Sequence, residues 1–387
     1  MTDSSFLPFC RPDITQAEID EVVDTLKSGW ITTGPRVKKF EEEFAARIGA
    51  RHAVAVSSCT AGLHLALVAA GVGSGDEVVT TPYTFTASAA AVLHAGARPV
   101  LADVEADTAN IDPRALAAAI TPKTKAIIPV HVAGHPCAMD EITGIARAHG
   151  LPIIEDAAHS LPAAYKGHQI GTISPMTVFS FYATKNLTTG EGGMITTDDD
   201  QIRERLAIFG YHGMSRDGWK RYTARGSWYY EILEDGFKYN MPDLLAALGL
   251  VQLRRLDEMQ AARMRIVNDY QNAFSGIPGL VTPVARPEVE SAWHLYILRI
   301  DPGVLRIDRD RFIAEMTERG IGVSVHFIPL GHHPLYQRLL GVSPADHPVA
   351  ERIYSRSLSL PLYPSMTGDQ VGRVIQAVTE IARENLR

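Results

Sequence analysis

The chain predicts an α/β fold, with a large, mostly parallel-sheet domain followed by a smaller α+β domain. Three observations carry this expectation. Strand-length apolar runs alternate with helical segments as far as residue 198. Those runs lack clean period-two alternation, as strands covered on both faces do. Near residue 242 the alternation gives way to a long helical stretch and a mixed remainder.

Taken in order, Thr15 followed by Glu18 forms a capping box, and Ile19, Val22, Val23 and Leu26 then share one helical face until Gly29. A second helix follows Pro35, with Val37, Phe40, Phe44 and Ile48 at helical spacing. AVAVS (53–57) reads as a buried strand, and residues 60–70 as a helix closed by Gly71. EVVTT, RPVLADV, AIIPVHV and PIIED continue as strands. Helices separate them, one capped by Asp112 with Pro113 at its first position and another over 139–149. TVFSFY and GGMITTD add two strands. Leu244 to Leu256 then opens a helix-rich stretch, and WHLYILRI, VSVHF and helices at 309–319, near 350 and from 367 complete the smaller unit. The boundary falls within residues 250–275 and is drawn at 255/256, so that 1–255 is the large domain and 256–387 the small one. The loop at 211–241 is long for a compact domain, which marks it as functional.

At 387 residues the chain is long enough for two such domains, and its 46% hydrophobic and 21% charged residues are those of a globular protein. A net charge of −7 disfavours sequence-independent binding to nucleic acid or anionic membranes, so any bound anion must be held locally. Three cysteines (10, 59 and 137) form no disulfide framework and fit a reducing compartment. No signal peptide is expected, nor any apolar run near the roughly 18 residues of a membrane span. The expectation is a cytoplasmic enzyme.

In an open parallel sheet, ligands sit beyond the carboxyl ends of the strands. Ser57, Ser58, Cys59 and Thr60 occupy such an end and open a helix, where free N–H groups favour a phosphate; an ordinary N-cap is the plainer alternative. Asp156 ends PIIED, and either caps the following turn or points into a site. Lys185 lies in FSFYATKNLTTGEGG, a polar loop between two apolar strands, where desolvation would make its amine nucleophilic; a solvated loop lysine is the alternative. HVAGHPC suggests a metal site superficially, but Gly134 and Pro136 argue against the helix that would align its histidines, and no metal is expected. Neither GxGxxG nor GxxxxGK[ST] is found, which turns attention to other phosphorylated cofactors.

SSCTAGLHLAL, PYTFTASAAAVLHAGARPVLADVE, IIEDAAHS and FSFYATKNLTTGEGG together resemble the DegT-type nucleotide-sugar aminotransferases, pyridoxal-phosphate enzymes of the aspartate-aminotransferase fold, fold type I. The likeness runs from Trp30 to about Tyr363, with the motifs in matching order. It implies that Lys185 forms the internal aldimine with pyridoxal 5'-phosphate and that Asp156 pairs with the pyridine nitrogen. It further implies that Phe85 stacks on the ring, that Thr60, the Ala61 N–H and Ser180 contact the phosphate, and that His159 touches the ring-oxygen side. In DGFKYNMPDLLAALG, either Lys238 or Asn240 would reach the cofactor phosphate of a neighbouring subunit. Many relatives carry Asn and Arg at these two positions, so the choice stays open. A shared site of this kind implies a homodimer.

The loop YHGMSRDGWKRYTARGSWYYEILEDGFKYN resembles the branch containing UDP-4-amino-4-deoxy-L-arabinose and related 4-amino-sugar aminotransferases. Substrate contacts implied by the resemblance are Thr33, Lys220, Arg221, Arg225, Trp228, Tyr229, His326 and His332; a solvated basic loop is the alternative for the central group. The implied reaction is a ping-pong transamination from glutamate, leaving 2-oxoglutarate, to a nucleotide-linked keto sugar, with a UDP-4-keto sugar expected. Three rivals compete with it. A same-fold sugar dehydratase would carry histidine in place of Lys185, an aromatizing synthase would share the fold, and a non-catalytic regulator would have no need of the lysine, aspartate and aromatic together.

Overall fold

The computed structural model describes residues 6–215 and 229–387. The main sheet runs in the order His52–Val56, Gly193–Thr197, Met176–Ser180, Ile154–Asp156. Single parallel bridges, Ile127 to Ile153 and Val130 to Asp156, carry it on to a parallel set of Thr124–Ile127, Glu77–Thr80 and Arg98–Leu101. Helices cover both faces. On one side Phe40, Phe44, Phe179, Phe181 and Met194 lie in one buried cluster. On the other, Leu63, Leu67, Val178 and Ile195 lie in a second.

One strand departs from the parallel pattern. Gly193–Thr197 is antiparallel to both of its neighbours. The twelve residues between Ser180 and Gly193 hold the Lys185 loop rather than a crossover helix, and without a crossover the chain can return only antiparallel.

The helix Gln16–Ser28 keeps its capping box, and the face that it buries is not the apolar one. Glu18 and Thr25 are its buried residues, whereas Ile19, Val23 and Leu26 are 48%, 37% and 54% exposed. The polar face wins because Glu18 accepts hydrogen bonds from Arg255 (2.7 Å) and Gln252 (2.8 Å), which satisfies a carboxylate that could not otherwise be buried. Asp243 performs a similar service for the helix Pro35–Ile48: its Oδ1 accepts from the N–H groups of Gly34 (2.7 Å) and Val37 (2.9 Å).

The expected long helical stretch breaks at Arg255 into Asp243–Arg254 and Leu256–Phe274. Leu256 lies in the core of the large sheet, and Ile266, Val267, Tyr270 and Phe274 lie in a separate cluster. There they join a small sheet of Leu280–Val281, Tyr296–Ile300 and Ser357–Leu360 and the helix Gly368–Glu384. VSVHF, expected as a strand, contributes only a bridge from Ser324 to Ser359. The His326 carbonyl instead accepts from the Tyr83 hydroxyl at 2.6 Å, which pulls the segment out of the ladder and toward the large sheet. Leu7 pairs with Ile321, so the amino-terminal segment also joins the small unit.

Candidate active site

A cavity of about 600 Å³ opens at the carboxyl ends of the strands. Thr60, Phe85, Asp156, His159, Ser180, Lys185 and His326 all line it, having come from five separate stretches of chain. Among the described residues on its wall, Lys185 is the one lysine or arginine.

Asp156 ends its strand with the carboxyl buried. Its Oδ2 accepts from Ser88 Oγ at 2.8 Å and its Oδ1 from the Ala158 N–H at 3.2 Å. Burial pushes its pKa up, and these bonds, with Lys185, act against that rise. Thr84 Oγ1 lies 2.8 Å from Ser88 Oγ, so a short chain of hydroxyls backs the carboxylate.

Lys185 is held through its backbone N–H, which donates to Tyr182 O at 2.9 Å; its Nζ has no hydrogen bond or ion pair among the described residues. Burial lowers its pKa to about 8, against the opposing pull of Cys59, Asp156 and Cys10, so about a tenth of the amine is unprotonated at pH 7, far more than at the ordinary lysine value.

The helix Cys59–Ala69 points its N-terminus at the cavity. Ser58 Oγ caps it by accepting from the Ala61 N–H (3.1 Å), so that donor, expected at a phosphate, is engaged within the chain. Gly193 passes directly beneath: a Cβ there would stand 2.9 Å from Cys59 N and 2.8 Å from Phe179 O. Only glycine permits so close an approach of strand to helix end, leaving a backbone cradle beside Thr60 and Ser180.

His159 is sandwiched between rings, 5.6 Å from Phe327 and 4.4 Å from His294. Its Nδ1 accepts from the Ala133 N–H (3.3 Å), which places the proton of the neutral ring on Nε2. His326 Nδ1 lies 2.9 Å from Ser359 Oγ, and burial with Lys185 nearby lowers its pKa to about 4. Phe85, 62% exposed, stands at the mouth.

The remaining expected residues lie elsewhere. Lys238 Nζ donates to Asn240 Oδ1 at 2.5 Å and lies 4.4 Å above the Tyr211 ring, while Asn240 Nδ2 donates to Thr33 Oγ1. These three form a cluster off the cavity wall. Tyr229 is exposed and bonds Glu231. His332 pairs with Glu351 at 2.6 Å, away from the cavity. Lys220, Arg221, Arg225 and Trp228 lie outside the described residues. In HVAGHPC, His131 is bound to Glu155 (2.7 Å) and His135 lies against Pro136 O (2.8 Å).

Sequence reasoning missed Phe9, Cys10, Ser88, His294 and Phe327, all of which line the cavity or bond a residue that does. Ser88 alone carried a usable signal, three residues after Phe85 at the start of the helix Ala87–His94, where a hydroxyl-rich turn leads in from the strand end.

The residues present fit pyridoxal phosphate. An amine of lowered pKa, a buried carboxylate for a pyridinium and a helix N-terminus beneath which only glycine fits share one cavity. Such a site on this sheet defines the class, a pyridoxal-phosphate-dependent aminotransferase of fold type I. Comparison with known proteins then identifies the group: residues 12–379 match the DegT/DnrJ/EryC1/StrS aminotransferase family, and the chain belongs to it. It is 53% identical to the spore coat polysaccharide biosynthesis protein SpsC of Bacillus subtilis, over 98% of this chain and 97% of that one. The sugar aminotransferase Spr1654 from Streptococcus pneumoniae, solved in PMP and PLP forms, superposes with a TM-score of 0.91 at 36% identity, covering 98% and 99% of the two chains. DesI, solved in the presence of its TDP-sugar product, gives 0.88 at 32% identity, covering 98% and 94%.

Proposed function

We propose that this aminotransferase transfers an amino group from glutamate to the keto carbon of a nucleotide-linked sugar, a UDP-4-keto sugar, for surface polysaccharide, lipid A or natural-product synthesis. The observation that carries the reading is the Lys185 amine, of pKa about 8, facing buried Asp156 in one cavity. Polysaccharide synthesis by SpsC and the TDP-sugar product of DesI support a sugar nucleotide; the sequence of the 211–241 loop supports uridine and position 4.

In this reading the Cys59–Ala69 N-terminus, Thr60 and Ser180 hold the phosphate of pyridoxal phosphate. Asp156 takes the pyridine nitrogen, and Phe85 and His159 flank the ring. The bound cofactor supplies an electron sink for the carbon that loses a proton. Lys185 first holds the cofactor covalently. Freed from that link, its amine would act as base and acid in turn, taking the proton from the donor's α carbon and delivering it to the cofactor side, then carrying one back to the sugar carbon in the second half. Burial of Asp156 raises its pKa in the isolated chain; a pyridinium beside it reverses the balance and holds it ionised. His326 and the small unit, residues 256–387, close over the sugar.

The reading includes a homodimer in a reducing, cytoplasmic setting. The exposed apolar stripe of Ile19, Val23 and Leu26 and the exposed Phe85 supply surface for a second copy.

To test the reaction, the protein is incubated with glutamate and a panel of UDP-, dTDP- and GDP-linked 3- and 4-keto sugars, and products are read by mass. Replacement of the oxo oxygen by an amine on a UDP-4-keto sugar is expected. Amination confined to another sugar would correct the substrate, and none at all would remove the proposal.

A further inference from the structure

We infer that His294 is a positioning residue that aims Lys185, acting through the side chain of Asn186. The inference rests on Lys185 being the amine that joins the cofactor.

Lys185 has no side-chain partner among the described residues, so its aim depends on how its backbone is fixed. The neighbouring Asn186 is buried and makes two bonds. Its Nδ2 donates to Ala292 O at 2.9 Å, and its Oδ1 lies 3.0 Å from His294 Nδ1. The Ala292 carbonyl can only accept, so the amide nitrogen must face it and the amide oxygen must face His294. His294 therefore carries its proton on Nδ1 and donates.

The other end of this connection is equally fixed. The His294 N–H donates to Ala133 O and the Ala292 N–H to Gly134 O, both at 2.9 Å, and Ser291 Oγ donates to Gly134 O at 3.1 Å. Ala133, at φ +58°, also donates its N–H to His159 Nδ1. A single turn thus orients both stacked imidazoles, one presenting Nε2–H and the other an Nε2 lone pair. The His294 ring stays neutral because burial pushes its pKa well down, and a second positive charge beside His159, Lys185, Arg263 or His326 would be unfavourable. The Asn186 oxygen requires an Nδ1–H donor, and in the neutral ring only the Nδ1–H tautomer supplies it.

Two polar replacements separate this role from mere packing. In His294→Asn an amide nitrogen stands where Nδ1 stood and can still donate to Asn186; in His294→Gln it lies farther out, near the place of Nε2. Cofactor-stripped protein is re-supplied with pyridoxal phosphate, the growth of the visible band is followed, and the linkage is fixed with borohydride and located by peptide mass. Attachment at Lys185 is expected to slow about tenfold in His294→Gln and to stay within about threefold of wild type in His294→Asn. Equal slowing in both variants, or none in either, beside a reactive wild type would overturn the role of His294 alone. A wild type that attaches no cofactor at Lys185 would overturn the reading of Lys185, and this inference with it.

Discussion

The floor and the mouth of the cavity differ in how far one chain completes them. On the floor, Asp156, His159 and the backbone around Lys185 are all anchored by bonds within the chain. At the mouth, Phe85 and Tyr182 are 62% and 48% exposed, and the Lys238, Asn240 and Thr33 cluster stands off the wall. Among the described residues the wall carries one lysine or arginine side chain, Lys185, and the proposed reaction commits that one to chemistry. In the proposed reaction, a single chain would thus supply the proton-moving groups by itself, and the cations for a phosphorylated ligand would have to come from other segments or from a second copy.

The largest effect is expected on the floor. Lys185→Ala should reduce transamination by at least about 10³-fold, since both the covalent link and the proton carrier are lost. Asp156 and the helix end should still hold the cofactor noncovalently, as a spectrum of the purified variant would show. Turnover at the wild-type rate would remove Lys185 from its role.

The pH dependence of cofactor attachment tests the environment of the same lysine. Only the unprotonated amine attacks, and with a pKa lowered to about 8 the rate should climb about tenfold per pH unit below 8 and level off above it. A lysine at its ordinary value would still be gaining at about pH 10. A rate that keeps rising to that pH would show that burial does not govern the amine.

A smaller effect is expected behind Asp156. Ser88→Ala removes a hydrogen bond to an ionised group, about 2 kcal/mol, and should weaken cofactor binding by up to about thirtyfold. The Ser88 bond favours the carboxylate, so its loss raises the pKa of Asp156, and acidification should release the cofactor at a higher pH than in wild type. An unchanged release curve would mean that the Ala158 N–H alone fixes the carboxylate.

The floor was also the more legible region in the sequence. Asp156 ends an apolar strand and Lys185 lies in the loop that follows another, and the strand–helix alternation that reveals the sheet also marks those places. His294 and Phe327 were not legible, because they reach the cavity from more than a hundred residues beyond Lys185 and lie in segments whose local pattern reads only as strand. The antiparallel run of Gly193–Thr197 was hidden for a different reason: an apolar strand has no sequence mark of direction, and only the length and content of the preceding loop decide it. In the helix Gln16–Ser28 the periodicity showed the apolar face but not which face is buried. Its apolar stripe is real but faces outward, because the carboxylate of Glu18 finds Arg255 and Gln252 on the inner side.

The smallest effect is expected off the wall, and it decides how the mouth is completed. Burial lowers the pKa of Lys238, whose ammonium is shared between Asn240 and the Tyr211 ring, so the charge is held in place while no carboxylate pairs with it within the described residues. An ammonium so placed can pass to a phosphate of a second copy with little reorganisation. Asn240 is already bound to Thr33, and would have to break that bond to do the same. Lys238→Ala should therefore weaken cofactor binding about three- to tenfold, with the loss shrinking at high salt, and Asn240→Ala should act mainly by freeing the lysine, with a loss under about threefold. Binding would be measured by equilibrium titration at two ionic strengths. A larger loss in Asn240→Ala, independent of salt, would transfer the contact to the amide and leave Lys238 as its support.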